Sequence, residues 1–413
     1  LTLILFIVYN VNSSFSNRTN GTMMMTTLTS SRVNDIHKKM VFRYIWEKEQ
    51  VSRTQIRSNF GFSKSTVSGI IRDLIDQGLI VENGQEDAPL GRKPELLTVN
   101  PQGPVVLSVL LKDFGDVEVA IVDLKGTILN RESFTLLTKE PPRAAVDEVA
   151  WFVNEALSRF PETTCLGIGL GAPGIVNHRS GVIEYSAHFG WKGIPIGSML
   201  AASVNQKFPI LVDNRTTAAT LGEMWFGSGK NSRNLICINC GEAIGAGIVI
   251  EGKIYRGFLD GVGEIGHIPL IQNGNPCFCG KTGCIESMVS LPALMKKMGR
   301  KYTGEDDATR ILRDKIKKPS TREMTLEAYS TLGEITAILT NVLAPEKIIF
   351  AGGLTRIEPE EMLRSVQQKV QEKALEPLAR NIQLEMSRFH QEAEALWGAS
   401  LVMENLFSLE IIR

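Results

Sequence analysis

From Gly263 the chain reads GEIGHIPLIQNGNPCFCGKTGCIES, and no other stretch restricts its fold so tightly. His267, Cys277, Cys279 and Cys284 offer one imidazole and three thiolates, a full tetrahedral donor set for zinc. The Cys-x-Cys spacing lets two sulfurs face one ion from a tight loop, and Gly280 and Gly283 let the backbone turn back to deliver Cys284. Four protein donors leave no coordination position for a reactive water, so the expected Zn2+ is structural. One nitrogen of His267 would bind the ion, and the other stays free for a ligand with its direction fixed by the metal. Glu264 and Glu286 flank the donors and are expected to point into the same pocket. Cys165 and Cys237 lie in apolar runs and read as core thiols. In a chain without an export signal, a tight cysteine cluster points to metal rather than to disulfides.

The chain has 413 residues, enough for two or three domains. Its formal net charge is zero, so a nucleic-acid surface, if present, must be local. The opening LTLILFIVYNV is apolar but too short for a bilayer, which needs about 20 residues. It also lacks the basic start and small-residue cleavage site of a secretory peptide. We expect residues 1–31 to be a disordered or spurious extension, with a natural start among Met23–Met25, no membrane partner and a cytoplasmic location.

Residues 32–100 read as a unit of three helices and a hairpin. VNDIHKKMVFRYIWEKE sets Ile36, Met40, Val41, Tyr44 and Ile45 on one face at helical spacing. Ser52 caps RTQIRSNF, Gly61 makes a short turn, and Ser63 caps a third helix that stops at Gly78. LIVENG and PELLTVN then read as strands around the loop QEDAPLGRKP. This is winged helix-turn-helix geometry. Residues 51–72 hold Arg53, Arg57, Lys64 and Arg72 without any Asp or Glu, and Arg92 and Lys93 sit at the wing tip. Such cations serve phosphate contacts, and the short side chains Ser65, Thr66 and Ser68 at a helix start let the backbone approach a groove. We expect this unit to bind DNA.

Residues 101–413 alternate strands, glycine loops and helices. CLGIGLGAPGIVN, PILVDN, NLICINCGEAIGAGIVIEG and EKIIFAGGL each run a strand into a polar or glycine-rich end. Strands feeding helices in this way predict an α/β architecture with ligands at strand ends, here two sheets around a cleft. The recurring strand-hairpin and glycine loop points to two related halves, without a sequence repeat that proves it.

In their order, GAPGIVN, VDNRTTAATLGE, GVGEIGHIPL, CFCGKTGCIES and IIFAGG resemble the ROK family of bacterial sugar-responsive repressors and sugar kinases. The resemblance covers about residues 32–413. It implies a two-lobed, actin-like ATPase α/β domain of sugar-binding and dimerising type over 101–413, behind the winged helix. It also implies sugar contacts at Gly174, Asn214, Glu264, His267 and Glu286. In the kinases of the family an Asp follows the strand-end Asn and takes the proton of the hydroxyl to be phosphorylated. Here Asn214 is followed by Arg215, which cannot accept a proton. The kinases' Asp-x-Gly-Gly-Thr reads Asp113-Phe114-Gly115-Asp116-Val117, and Glu242 stands beside Gly241 in the later loop. Both place carboxylates where a triphosphate would lie. Arg215 is expected either to pair with Glu264 or Glu286 or to favour an anionic ligand. The resemblance implies a repressor, not an enzyme, that binds operator DNA and a sugar or sugar phosphate as a homodimer or homotetramer. The alternative is a sugar kinase carrying a DNA-binding unit.

Overall fold

The computed structural model describes residues 30–85, 95–136, 141–159, 165–205, 208–389 and 394–407. The N-terminal extension and the wing-tip residues Arg92 and Lys93 lie outside these.

The first helix, Ser30–Lys48, buries Val41, Phe42 and Ile45. Helix Arg53–Phe60 starts at Ser52, whose side chain accepts from Gln55 N while Gln55 reaches back to the Ser52 backbone, a reciprocal cap. It ends at Gly61, whose φ of 68° is the left-handed conformation that glycine adopts without strain. Ser63 caps helix Lys64–Asp76, which buries Val67, Ile70, Ile71 and Leu74. The sheet has three strands, because Val51–Ser52, read from sequence only as an approach to a cap, pairs with Glu95–Val99 beside Ile80–Gln85.

Behind this unit stand two five-stranded sheets with one connectivity. In the first, Val105–Leu111 pairs antiparallel with Asp116–Asp123, which pairs antiparallel with Ile128–Thr135. On its other side Val105–Leu111 runs parallel to Cys165–Ala172, and that strand to Ile210–Asn214. In the second sheet Leu235–Cys240 has the same role. Ile244–Ile250 and Lys253–Ile254 follow antiparallel on one side, and Lys347–Ala351 and Gln383–Met386 run parallel on the other. The sequence hinted at two related halves, and the shared strand order makes the relation explicit.

Two helices run beside the sheets to the N-terminal unit. Arg215–Trp225 follows directly on strand Ile210–Asn214, and Ala395–Phe407 packs along it. The second helix crosses the first sheet closely: a β-carbon on Gly169 would stand 1.9 Å from the carbonyl oxygen of Gly398, so only glycine fits there. Both helices end in an aromatic cluster. Trp46 of the first helix lies edge-on to Trp225, with ring centroids 5.5 Å apart, and also touches Phe226 and Phe407. Its indole N–H donates to Leu124 O at 2.6 Å. Among the described residues, no helix is long and apolar enough to cross a membrane.

Candidate functional site

The strand ends of both sheets and the cysteine loop meet in one cleft. Strand Ile210–Asn214 delivers Asn214, whose side-chain oxygen accepts from Thr216 N at 2.7 Å and Thr217 N at 3.1 Å. Its amide donates to Gly174 O at 2.8 Å. Asn214 is therefore first a helix cap and keeps one N–H for a ligand. Gly174 takes φ 93°, and a β-carbon there would meet Tyr185 O at 2.1 Å, so it offers the site backbone only.

Arg215 does not pair with Glu264 or Glu286, as the sequence led us to expect. Its guanidinium donates to Asp113 Oδ2 at 2.6 Å, and both side chains are buried. Asp113 directly follows the central strand of the first sheet, close enough to take the cation before the carboxylates of the other lobe. Its second oxygen lies 3.3 Å from Nδ1 of His188. Burial pushes the Asp113 carboxyl up, but the Arg215 charge and the His188 contacts outweigh it and hold the group below the ordinary range. Burial pulls His188 down, and the Asp113 contact more than reverses this. Nε2 of His188 stands 3.8 Å from Glu286 Oε1, whose other oxygen accepts from Ile244 N at 3.2 Å. His188 went unnoticed in the sequence, where nothing in its turn signals Asp113 or Glu286 as partners.

Glu264 and His267 form a second pair, Oε2 to Nε2 at 3.8 Å. Burial, with Glu286 and Asp113 nearby, raises the Glu264 carboxyl to about 7, although 35% of that side chain remains open. Burial also raises Glu286 to about 7, against the pull of His188. His267 is lowered by burial and by His188.

The ligand atoms of His267, Cys277, Cys279 and Cys284 all lie within 4.8 Å of one another, so this cluster can hold a metal ion. Nδ1 of His267 stands 3.5 Å from Cys277 Sγ, and the sulfurs of Cys279 and Cys284 are 3.7 Å apart. A tetrahedron with bonds of about 2.3 Å to sulfur and 2.0–2.1 Å to nitrogen has edges of about 3.8 and 3.5 Å. The donors fit that shape, with Nε2 of His267 left facing Glu264. Phe278, between two of the cysteines, reaches His188 with ring centroids 4.7 Å apart.

The deeper part of the cleft, at the glycine loops, is filled by the chain's own charges. A β-carbon on Gly241 or Gly353 would stand 2.7 or 2.6 Å from the Glu305 side chain, which lies directly on both turns. Glu305 pairs with Arg356 at 3.0 Å, Lys112 with Glu394 at 2.9 Å, and Tyr302 donates to Glu242 at 2.7 Å. Glu242 and Asp116 alone drew attention in the sequence. Glu305, Tyr302 and Arg356 lie far along the chain and carry no local motif.

In the N-terminal unit Lys64, Ser65 and Arg72 are exposed on helix Lys64–Asp76, and Thr66 and Ser68 are half-buried. The Ser65 and Thr66 hydroxyls lie 2.9 and 2.8 Å from Ser63 Oγ, and so support the cap. Arg53, Arg57 and Lys64 line a surface hollow with Glu95. Arg53 is not the uncompensated cation that residues 51–72 implied: it pairs with Glu82 of the adjoining strand.

The model of the ROK family matches residues 114–405. A xylose repressor of Caldicellulosiruptor bescii is 28% identical over 395 residues, covering 91% of this chain and 97% of that protein. A glucokinase of Halalkalibacterium halodurans is 32% identical over 312 residues, covering 71% of this chain and 94% of its own. The crystal structure of a ROK family transcriptional regulator, a homologue of the E. coli MLC protein, superposes with a TM-score of 0.77 at 24% identity, over 91% of this chain and 97% of that one. At that identity the likeness speaks for the fold.

Proposed function

The chain belongs to the ROK family, and from that premise we propose that it is a sugar-responsive transcriptional repressor, not an enzyme. In this reading residues 32–100 are a winged helix-turn-helix that binds operator DNA, and 101–413 form a zinc-stabilised sugar sensor that dimerises. The observation that carries it is Arg215, which stands where a sugar kinase needs a carboxylate base and is ion-paired at 2.6 Å with Asp113. A guanidinium holds its protons at every working pH and cannot deprotonate a hydroxyl. Glu305 on the glycine turns supports the same conclusion, since a nucleotide phosphate would have to displace a buried carboxylate.

Lys64, Ser65, Thr66, Ser68 and Arg72 would face the major groove, with Arg92 and Lys93 on the wing against phosphates. Gly174, Asn214, Glu264, His267 and Glu286 would hold the sugar. His267, Cys277, Cys279 and Cys284 would hold structural Zn2+, the ion that suits one imidazole and three thiolates. Paired half-sites call for a dimer, and operator DNA places the protein in the cytoplasm. Sugar would act by binding one arrangement of the two DNA-binding units more tightly than another.

The test is selection of bound genomic fragments followed by fluorescence anisotropy with and without sugars. A sequence-specific complex whose affinity changes with one sugar is expected, and absence of sequence preference at moderate salt overturns the reading. The glucokinase likeness favours a second reading, a kinase with an added DNA-binding unit. ATP-dependent phosphorylation of a hexose by purified protein, with contaminating kinase excluded, would establish that reading instead.

A further inference from the structure

If the chain is a sugar-responsive regulator, its cleft also states which chemical class of sugar it takes. Two histidine–carboxylate pairs line it, His188 Nε2 with Glu286 Oε1 and His267 Nε2 with Glu264 Oε2, each at 3.8 Å. That is too long for a hydrogen bond, whose heavy atoms stand about 2.7–3.2 Å apart. A hydroxyl oxygen seated beside such a pair reaches both atoms at about 2.8 Å. Imidazolium with carboxylate and imidazole with carboxylic acid both offer one donor and one acceptor, which is what a hydroxyl needs. Each ring is steadied from behind, His188 by Asp113 and His267 by its place in the metal-ligand cluster.

The cations around the cleft are already matched. Arg215 pairs with Asp113 at 2.6 Å, Arg256 with Asp213 at 2.5 Å, Lys112 with Glu394 at 2.9 Å and Arg356 with Glu305 at 3.0 Å. A phosphate would have to break one of these pairs and leave its carboxylate without a partner. Lys281 is exposed on the metal loop, where solvent and salt screen its charge. We propose that the cleft takes an unphosphorylated sugar, gripped through two hydroxyls by His188–Glu286 and His267–Glu264, and that it rejects the phosphate ester because Arg215 is neutralised by Asp113.

The experiment is calorimetric titration of the full-length, metal-loaded chain with D-glucose, D-mannose and N-acetyl-D-glucosamine against their 6-phosphates, and D-xylose against its 5-phosphate. At least one free sugar should bind, and its ester should bind at least tenfold more weakly. Asp113→Asn releases the guanidinium and should shift that ratio at least tenfold toward the ester. His188→Ala should weaken the free sugar at least tenfold. An ester that binds as well as its parent sugar, or failure of every free sugar to bind, overturns the proposal. So does an unchanged ratio in a folded Asp113→Asn variant; if that variant does not fold, the ratio in the unmodified protein decides. DNA binding by the same preparation separates this inference from the regulator reading. Specific DNA binding with no free-sugar binding sinks only the ligand class. Free-sugar binding without any specific DNA binding sinks only the regulator.

Discussion

Arg215 and Asp113 are a buried pair with 5% and 8% of their side chains exposed. Their attraction offsets a large desolvation cost, so removing one partner is far worse than removing both. Arg215→Met should destabilise the chain by about 3–5 kcal/mol, and Arg215→Met/Asp113→Leu by clearly less, measured by urea unfolding. Equal losses would mean the pair is open to water. Arg215→Asp sets a second carboxylate against Asp113 and should yield no kinase, because Glu305 still lies on the glycine turns. Glu242 gives a pH signature. Burial, with Glu305 next in weight, raises its carboxyl from 4.5 to about 7. The folded chain therefore holds that proton more tightly than the unfolded chain. Its contribution is fully present below about pH 4.5, is lost as the pH rises toward 7, and stays lost above. Glu242→Gln keeps an acceptor for Tyr302 and has no proton to lose. It should match the unmodified protein near pH 4.5 and exceed it on the order of 1–3 kcal/mol at pH 8. A gap that does not widen with pH would show that Glu242 ionises freely.

At the scale of elements, helices Arg215–Trp225 and Ala395–Phe407 link two distant clusters. One begins at Arg215 and the other just after Glu394, both in the buried charge network, and their far ends, Trp225 and Phe407, hold Trp46. Eleven residues at about 1.5 Å rise span about 16 Å. A shift at the strand end would reach the N-terminal unit through these two helices. Trp46→Ala should leave sugar affinity intact and reduce the sugar's effect on DNA affinity to less than about threefold, against the 5–150-fold usual for coupled sites. A full response in that variant would exclude this route. The metal loop is the opposite kind of element, self-contained and legible. Its four donors sit within one short stretch, so spacing alone revealed it, as Ser52 and Ser63 revealed two helix starts. Cys279→Ser should lose the metal, seen by elemental analysis, and with it sugar binding, since the loop carries His267 and leads into Glu286. The cleft's other partners were not legible. Asp113 meets Arg215 and His188 only after three strands have found their register, and no local pattern encodes that meeting. The shared order of the two sheets was hidden for the same reason: Leu235–Cys240 finds Lys347–Ala351 across more than a hundred residues.

For the whole molecule, a net charge of zero means that any affinity for DNA must come from a small basic surface on the N-terminal unit. Each phosphate contact formed there contributes about 0.9 to the slope of log affinity against log salt. Arg53 is tied to Glu82, so its charge is compensated before DNA arrives. Arg53→Ala should therefore change the salt slope little. Lys64→Ala removes an exposed cation at a helix start and should lower the slope by about 0.9 per chain. Arg92→Ala/Lys93→Ala should lower it by about 1.8 per chain, twice that for a dimer, and weaken all sequences alike. Changes at Ser65 and Ser68 should instead alter which sequence is preferred, because base edges rather than phosphates carry that information. Two units related by a dimer axis require half-sites about 10 base pairs apart or a multiple of that. Inserting five base pairs between the half-sites turns one unit to the opposite face of the duplex and should abolish cooperative binding, while ten should restore much of it. Equal binding to both spacings would mean that each unit acts alone, and the sugar would then have no relative placement of two units to change.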